Sequence, residues 1–212
     1  MLNFELTPNH AGLTLWGDYA TLERLYEFVH KVVAESSVIE DKEGFILDLA
    51  YDVRKAFQGQ RSKRDMGHGG TRCKIFGVEI LWPVILLQIG VLRHAMAFMP
   101  TNRFDQATMF ELEHIVEAAT RAAMPSTADK VIHHMSQIGA MPYHRLDTVL
   151  DSRCCYFIEL PAKKRLTVLP KLMDTFDPMY AFLAEQSATT RPEIIPPDAF
   201  AAGDCEWPDF EW

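Results

Sequence analysis

The sequence predicts an α+β fold in which a layer of helices packs around a central apolar helix and against a small antiparallel sheet. Residues 80–92 carry no charged side chain and, with Pro83 at the start of a helix, place apolar groups on every helical face. Such a helix must be covered by other elements. In addition, β-prone segments precede it, whereas amphipathic helical patterns occupy much of the remaining chain.

The composition is typical of a folded globular protein. The chain has 212 residues, 48% hydrophobic and 24% charged, so we expect a single α+β domain over residues 1–186 and an acidic, aromatic tail over residues 187–212. The apolar stretch is shorter than the roughly 20 residues that a membrane span needs. The first residues lack the pattern of a signal peptide, which predicts a cytoplasmic protein that does not contact membranes.

The N-terminal part predicts a hairpin followed by two helices. Alternating apolar residues over 2–6 and 13–15 indicate two short strands. Asp18 is placed to cap a helix whose apolar residues recur at helical spacing through residue 33. A second helical pattern covers residues 45–57, and Gly59 lies just beyond its end.

Residues 60–81 predict a loop and the remaining strands. Residues 60–70 contain three glycines and almost no apolar anchor, so we expect a mobile surface loop. Residues 72–76 and 78–81 are β-prone and flank Gly77, which fits either a tight hairpin or one bulged strand. Either arrangement completes an antiparallel sheet with the opening hairpin.

The second half predicts further helices and one hairpin. A third helix over residues 104–123 has the inner stripe Phe104, Thr108, Leu112, Ile115, Ala119 and Ala122. Ser126 and Asp129 resemble a capping box for a fourth helix that ends at Gly139. Residues 154–169 favour a hairpin, although the leucine spacing at their end also fits a helix. Asp177 and Pro178 indicate the start of a last helix.

The sequence contains no P-loop, dinucleotide fingerprint, HExxH sequence or paired CxxC, so we assign no catalytic residue. His114 and Glu117 lie one helical turn apart but point away from the predicted buried stripe, and we expect no metal site and no cofactor. The four cysteines are expected to be reduced thiols, with Cys154 and Cys155 as a small apolar pair in a strand. A strained disulfide between these two is the alternative.

The net charge of −8 is unevenly distributed along the chain. Between Arg54 and Lys74, seven cations face one anion, which gives this segment a net charge of +6 and the remainder −14. Cations clustered on a glycine-containing loop are typical of sites for phosphates or acidic protein surfaces. The candidate anion- or partner-binding residues are Arg61, Lys63, Arg64, His68, Arg72 and Lys74.

The tail combines features of a disordered segment and of a docking segment. Six carboxylates face one cation after residue 186, and four prolines disfavour regular structure. The large aromatic residues indicate that the tail docks, either on the body of this chain or on a partner, through Trp207, Phe210 and Trp212. The opposite charges also suggest that the tail covers the basic segment until a partner displaces it.

Short runs with a recognisable pattern occur in the first 120 residues. They are Phe76–Pro83, Gln88, Leu92–Arg93 and Leu112–Glu113, together with Gly17–Tyr19 and Leu22–Tyr26. In these runs the chain resembles a group of uncharacterised bacterial proteins. The resemblance implies a bacterial or phage cytoplasmic origin and no particular activity.

These observations favour a non-enzymatic binding or regulatory protein. We expect it to engage a protein partner, or a nucleic acid, through the basic segment, the tail or both. The alternative is an enzyme that acts on a phosphate-bearing substrate, such as a nuclease, with Arg61, Lys63, Arg64 and His68 near its site.

Overall fold

The computed structural model describes residues 1–67, 73–187, 194–200 and 206–212, and it has the predicted α+β architecture. Two 3₁₀ turns, Met96–Phe98 and Pro197–Ala199, accompany the main elements. The strands and helices, in chain order, are β1 (Asn3–Leu6), β2 (Gly12–Asp18), α1 (Tyr19–Glu35), α2 (Phe45–Phe57), β3 (Ser62–Met66), β4 (Cys73–Leu81), α3 (Trp82–Ala95), α4 (Arg103–Ala123), α5 (Ala128–Ile138), α6 (Tyr143–Glu159), α7 (Ala162–Asp174) and α8 (Tyr180–Ser187).

The sheet is antiparallel throughout, with the strand order β1-β2-β4-β3. The predicted opening hairpin is confirmed, and β4 is one continuous strand, which excludes the tight hairpin about Gly77. The prediction of a loop over residues 60–70 was wrong for Ser62–Met66, which form an edge strand. The apolar pattern gives no signal there because all five residues are exposed, and the strand is held by pairing with β4.

Helix α3 is the buried centre of the molecule, as predicted. Pro83 lies in its first turn, where no backbone N–H is needed, and almost every residue from Trp82 to Leu92 is buried. It contacts strand β4 and helices α1, α2, α4, α5, α6 and α7. In the described part of the chain, no helix is both long and apolar enough to cross a membrane.

Helix α4 is present, but its predicted inner stripe was partly wrong. Phe104 is 76% exposed and Ala122 is also exposed. The buried stripe is Thr108, Met109, Leu112, Ile115, Val116, Ala119 and Thr120. The helix begins at Arg103, with a capping box between Asn102 and Asp105, so Phe104 falls in the first turn outside the contact with the core.

The capping box predicted at Ser126 and Asp129 was wrong. The residue that precedes α5 is Thr127, and no side chain caps this helix. Asp129 is therefore the second helical residue and pairs instead with Arg121 of α4, at 2.6 Å. The predicted end of α5 at Gly139 is confirmed.

The hairpin predicted over residues 154–169 was also wrong, because α6 and α7 occupy this segment. Pro161 separates the two helices, and the leucines of α7 face the core at helical spacing. Cys154 and Cys155 therefore lie on a helix and not in a strand. The prediction of reduced thiols was wrong for Cys155, which is disulfide-bonded. Cys73 and Cys154 are free cysteines. Helix α8 begins at Tyr180, just after the predicted Asp177–Pro178 start.

Asp18 caps α1 as predicted, since its Oδ1 accepts a hydrogen bond from Thr21 N at 2.8 Å. This backbone hydrogen bond holds the pKa of Asp18 below its usual range. Because the folded-state pKa is lowered, the carboxylate stabilises the fold above the unfolded pKa of about 3.9, and this contribution disappears as the pH falls through the folded-state pKa.

We therefore expect Asp18→Ala to lower the free energy of unfolding by about 1 kcal/mol at pH 7 and by progressively less as the pH falls below about 4. Urea denaturation of the two proteins between pH 7 and pH 2 measures this difference. A difference that stays constant over this range would show that the capping carboxylate is not its source.

Candidate functional site

The candidate basic residues lie on and beside the edge strand β3. Arg61 precedes β3, Lys63 and Arg64 lie within it, and Lys74 lies on the neighbouring strand β4. The remaining two candidates, His68 and Arg72, fall outside the described residues. The structure therefore places four of the six candidates close together at one edge of the sheet.

Arg64 is bound within the protein by a cluster that crosses the outer face of the sheet. Its guanidinium lies 4.1 Å from the ring centroid of Trp16 on β2 and pairs with the carboxylate of Glu5 on β1. Trp16 Nε1 donates to the same carboxylate at 3.0 Å. The indole crosses β4 at Gly77, where a Cβ atom would lie 2.8 Å from Trp16 Cε3. Arg64 therefore contributes to the stability of the sheet.

The other cations of the basic segment differ in their pairing. Arg61 Nη2 lies 2.8 Å from Asp52 Oδ1 on α2, and Lys55 lies 4.0 Å from the same oxygen. Lys63 and Lys74 are exposed and form no ion pair with any residue that the structure describes. These two lysines are therefore the cations most available to a partner.

The described segments of the tail lie against the body of the chain. Trp207 Nε1 donates to Asp151 Oδ1 on α6 at 3.0 Å, and Asn9 N donates to the Trp212 carbonyl at 3.0 Å. Phe210 packs on Trp212 with ring centroids 4.8 Å apart. Farther upstream, Phe200 lies 4.0 Å from the guanidinium carbon of Arg153. The tail thus docks on its own chain, whereas its separation from a domain over residues 1–186 stays a prediction.

Arg165 fastens the end of the tail. Its side chain is 6% exposed, and its guanidinium donates to four carbonyl oxygens rather than to a carboxylate. The acceptors are Leu160 O (3.2 Å), Ile158 O (2.8 Å), Asn9 O (2.9 Å) and Glu211 O (3.3 Å). One side chain therefore joins the end of α6, the β1–β2 turn and the tail.

The tail and the basic segment meet at a groove formed by two adjoining cavities. The larger has a volume of about 520 Å³ and lies between α2, α3 and α6. The smaller has a volume of about 180 Å³ and lies beside the start of β3, where Arg61 and Trp212 line it. Both cavities are lined by Asp52, Ile80, Val84 and Trp207. No described carboxylate of the tail pairs with a cation of the basic segment, so the observed contact is made by the tryptophans.

The larger cavity contains an unsatisfied buried acceptor. Gln88 of α3 lines it with a side chain that is only 1% exposed, and its Nε2 donates to Phe45 O at 2.8 Å. Its Oε1 has no hydrogen-bond partner among the residues that the structure describes. A buried acceptor left unpaired costs about 1–3 kcal/mol, so its retention in the apolar central helix needs an explanation.

Carboxylates dominate the polar part of the same cavity. Asp48, Asp52 and Asp151 line it, together with the cations Arg54 and Lys55. Partial burial raises the pKa of Asp48, and the negative charges of Asp52 and Asp151 raise it further, against the opposing effect of Lys55. Asp48 forms no hydrogen bond or ion pair with a described residue, and no group of three His, Cys, Asp or Glu side chains in the described part of the chain is arranged to hold a metal ion.

Sequence reasoning identified the tail tryptophans and Arg61 but not the cavity that they border. Gln88 gave the one usable signal, as the polar side chain within an otherwise apolar run. Asp48, Asp52 and Asp151 gave none, because isolated carboxylates on amphipathic helices are normally solvated.

Comparison with known protein families finds a match. A family model described as a domain of unknown function (DUF6904) matches residues 2–212. No curated protein and no solved structure matches the chain. Since the match extends over all but the first residue, the chain belongs to the DUF6904 family.

Proposed function

We propose that this chain is a non-enzymatic binding protein that pairs an extended, acidic segment of a partner protein along the free edge of β3. The observation that carries this proposal is the edge strand itself. All five residues of β3 are exposed, and no described strand pairs with its outer side. An exposed edge offers backbone N–H and C=O groups in the spacing that an added strand needs.

The charge of the edge determines what kind of strand fits. Lys63 lies on the edge strand β3, and Lys74 lies on the adjoining strand β4 opposite Asp65, two register positions from Lys63. A lysine on an edge strand, such as Lys63, disfavours pairing with a second copy of the same chain through like-charge repulsion. An acidic strand would remove that repulsion, so complementary charge favours an acidic partner.

The alternatives receive less support. Arg61 and Arg64 already pair with Asp52 and Glu5, which disfavours an enzyme site for phosphate at these residues. Nucleic acid remains the second class of partner, because it is also acidic. A bacterial or phage origin and a cytoplasmic location stay predictions of the sequence. The disulfide bond at Cys155 does not favour a cytoplasmic location, because disulfide bonds persist mainly in oxidising compartments.

The test is a peptide-display selection on the full chain, followed by fluorescence-anisotropy titration of the selected peptides. We expect acid-rich sequences without proline to be enriched, and their affinity to fall as salt is raised. The Lys63→Glu/Lys74→Glu double variant should bind them at least tenfold more weakly, because the edge then repels an acidic strand.

The matched control is Lys163→Glu/Lys164→Glu, which makes the same charge change at two exposed residues of α7. This variant should bind like the unmodified chain. Equal loss of affinity in both double variants, or no enrichment of acidic sequences, would contradict the proposal. Labelled single-stranded DNA and RNA are titrated in parallel, and tight binding of either one that depends on Lys63 and Lys74 would replace the protein partner by a nucleic acid.

A further inference from the structure

We propose that the 520 Å³ cavity between α2, α3 and α6 is a binding site for a small organic ammonium with an apolar body. This inference does not depend on the proposed function, because no residue of β3 lines the cavity. The size of the cavity falls within the range of about 300–1,000 Å³ that is usual for small-molecule sites.

The apolar wall of the cavity favours a ligand with an apolar body. Phe45 and Leu49 of α2, Val84 of α3 and Leu150 of α6 line the cavity, and the indole of Trp207 contributes from the tail. Trp207 is held in place by its hydrogen bond to Asp151 and is 41% exposed. An apolar enclosure with few, localised polar groups is the usual composition of a ligand pocket.

The charges of the polar groups that line the cavity favour a ligand with an ammonium group. Asp48 lies within the negative potential of Asp52 and Asp151 and has no ion-pair partner among the described residues. Of the two cations that line the cavity, Lys55 lies beside Asp52 and Arg54 lies over the ring of Tyr51 at 5.0 Å, although the buried Arg54 Nε has no hydrogen-bond partner among the described residues. A cation next to Asp48 would therefore offset the charge of a carboxylate that forms no ion pair with a described residue.

Gln88 supplies the observation that is independent of the carboxylates. Gln88 lines the cavity, its side-chain oxygen is buried and accepts no hydrogen bond from a described residue, and its nitrogen donates to Phe45 O. A group that pairs with Gln88 Oε1 must therefore be a hydrogen-bond donor, which an ammonium is and a carboxylate is not. Asp48 and Gln88 thus point to the same class of ligand.

The experiment titrates the full chain with phenethylammonium, and separately with the matched neutral alcohol, 2-phenylethanol, and the matched anion, phenylacetate. Calorimetry gives the affinity, and the indole N–H resonance of Trp207, assigned with Trp207→Phe, reports the location. We expect phenethylammonium to bind at least tenfold more tightly than either analogue and to shift the Trp207 resonance.

Three variants complete the test. Asp48→Asn and Gln88→Met should each weaken phenethylammonium binding, the former at least tenfold, while near-ultraviolet circular dichroism shows an intact fold. Glu185→Gln, which neutralises an exposed carboxylate on α8 outside the cavity, should leave binding unchanged. The proposal is overturned if the alcohol binds as tightly as the ammonium, if Asp48→Asn binds as well as the unmodified chain, or if no compound binds at millimolar concentration.

Discussion

The Arg165→Met variant is expected to lose about 3–5 kcal/mol of its free energy of unfolding, because a buried guanidinium that serves four carbonyls is replaced by a side chain without donors. Methionine has a similar reach and fills the space, so the loss comes from hydrogen bonds and not from a cavity. Denaturant unfolding followed by circular dichroism measures the change.

The same variant should release the end of the tail. Arg165 is the residue that joins Asn9 O and Glu211 O, and the neighbouring hydrogen bond from Asn9 N to Trp212 O depends on that arrangement. Hydrogen exchange at Asn9 should therefore accelerate at least tenfold under native conditions.

The control for this prediction is Lys164→Met, an exposed cation on the same helix one residue away. It should change neither stability nor the exchange at Asn9. A small effect of Arg165→Met, within about 0.5 kcal/mol of this control, would contradict the assignment of Arg165 as the link between the tail and the body.

The second large effect is expected at Gly90, where α3 and α5 cross. A Cβ atom at Gly90 would lie 2.4 Å from Met135 O, and one at Gly139 would lie 2.4 Å from Gly90 O. Alanine is the better helix former by about 1 kcal/mol, so propensity alone predicts that Gly90→Ala stabilises the protein. Because the obstructing atom belongs to the backbone, we expect instead a loss of about 2–3 kcal/mol in the free energy of unfolding.

Gly59→Ala is the matched comparison. Gly59 has a φ of +78°, and no atom lies within 4 Å of the position that an alanine methyl group would take, so only backbone strain of about 1 kcal/mol opposes alanine there. Thermal or denaturant unfolding of the two variants should rank Gly90→Ala as clearly the less stable. The reverse ranking would mean that α3 and α5 can separate without cost.

The helices that were predicted most clearly are those whose burial leaves a distinct apolar pattern in the sequence. The uninterrupted apolar run of α3 and the stripe of α1 are signals of this kind, since each face must match its surroundings. Strand β3 escaped prediction because none of its side chains is buried and its partner, β4, determines its conformation. The hairpin predicted in place of α6 and α7 shows the opposite error, in which β-branched and aromatic residues outweighed helical spacing.

The residues of the candidate site likewise divide into those that the sequence predicts and those that it does not. Arg61, Trp207 and Trp212 could be selected by composition, because their charge or size is unusual for their position. The opposite charges predicted that the tail covers the basic segment, but the groove where they meet could not be predicted, since it depends on the path of the tail, which hydrogen bonds of Arg165 and Asn9 fix. The role of Gln88 likewise depends on the Phe45 carbonyl, 43 residues away in sequence.

The central claim of the proposed function is that a partner adds a strand to the edge of β3, and amide hydrogen exchange tests it most directly. The full chain is compared with and without a saturating acidic peptide from the display selection. We predict that the amides of Ser62–Met66 that point away from β4 exchange at least tenfold more slowly in the complex, while those that already pair with β4 change little. Unchanged exchange at the outward amides in a chain saturated with peptide would contradict the proposal, because the peptide would then bind elsewhere or through its charge alone.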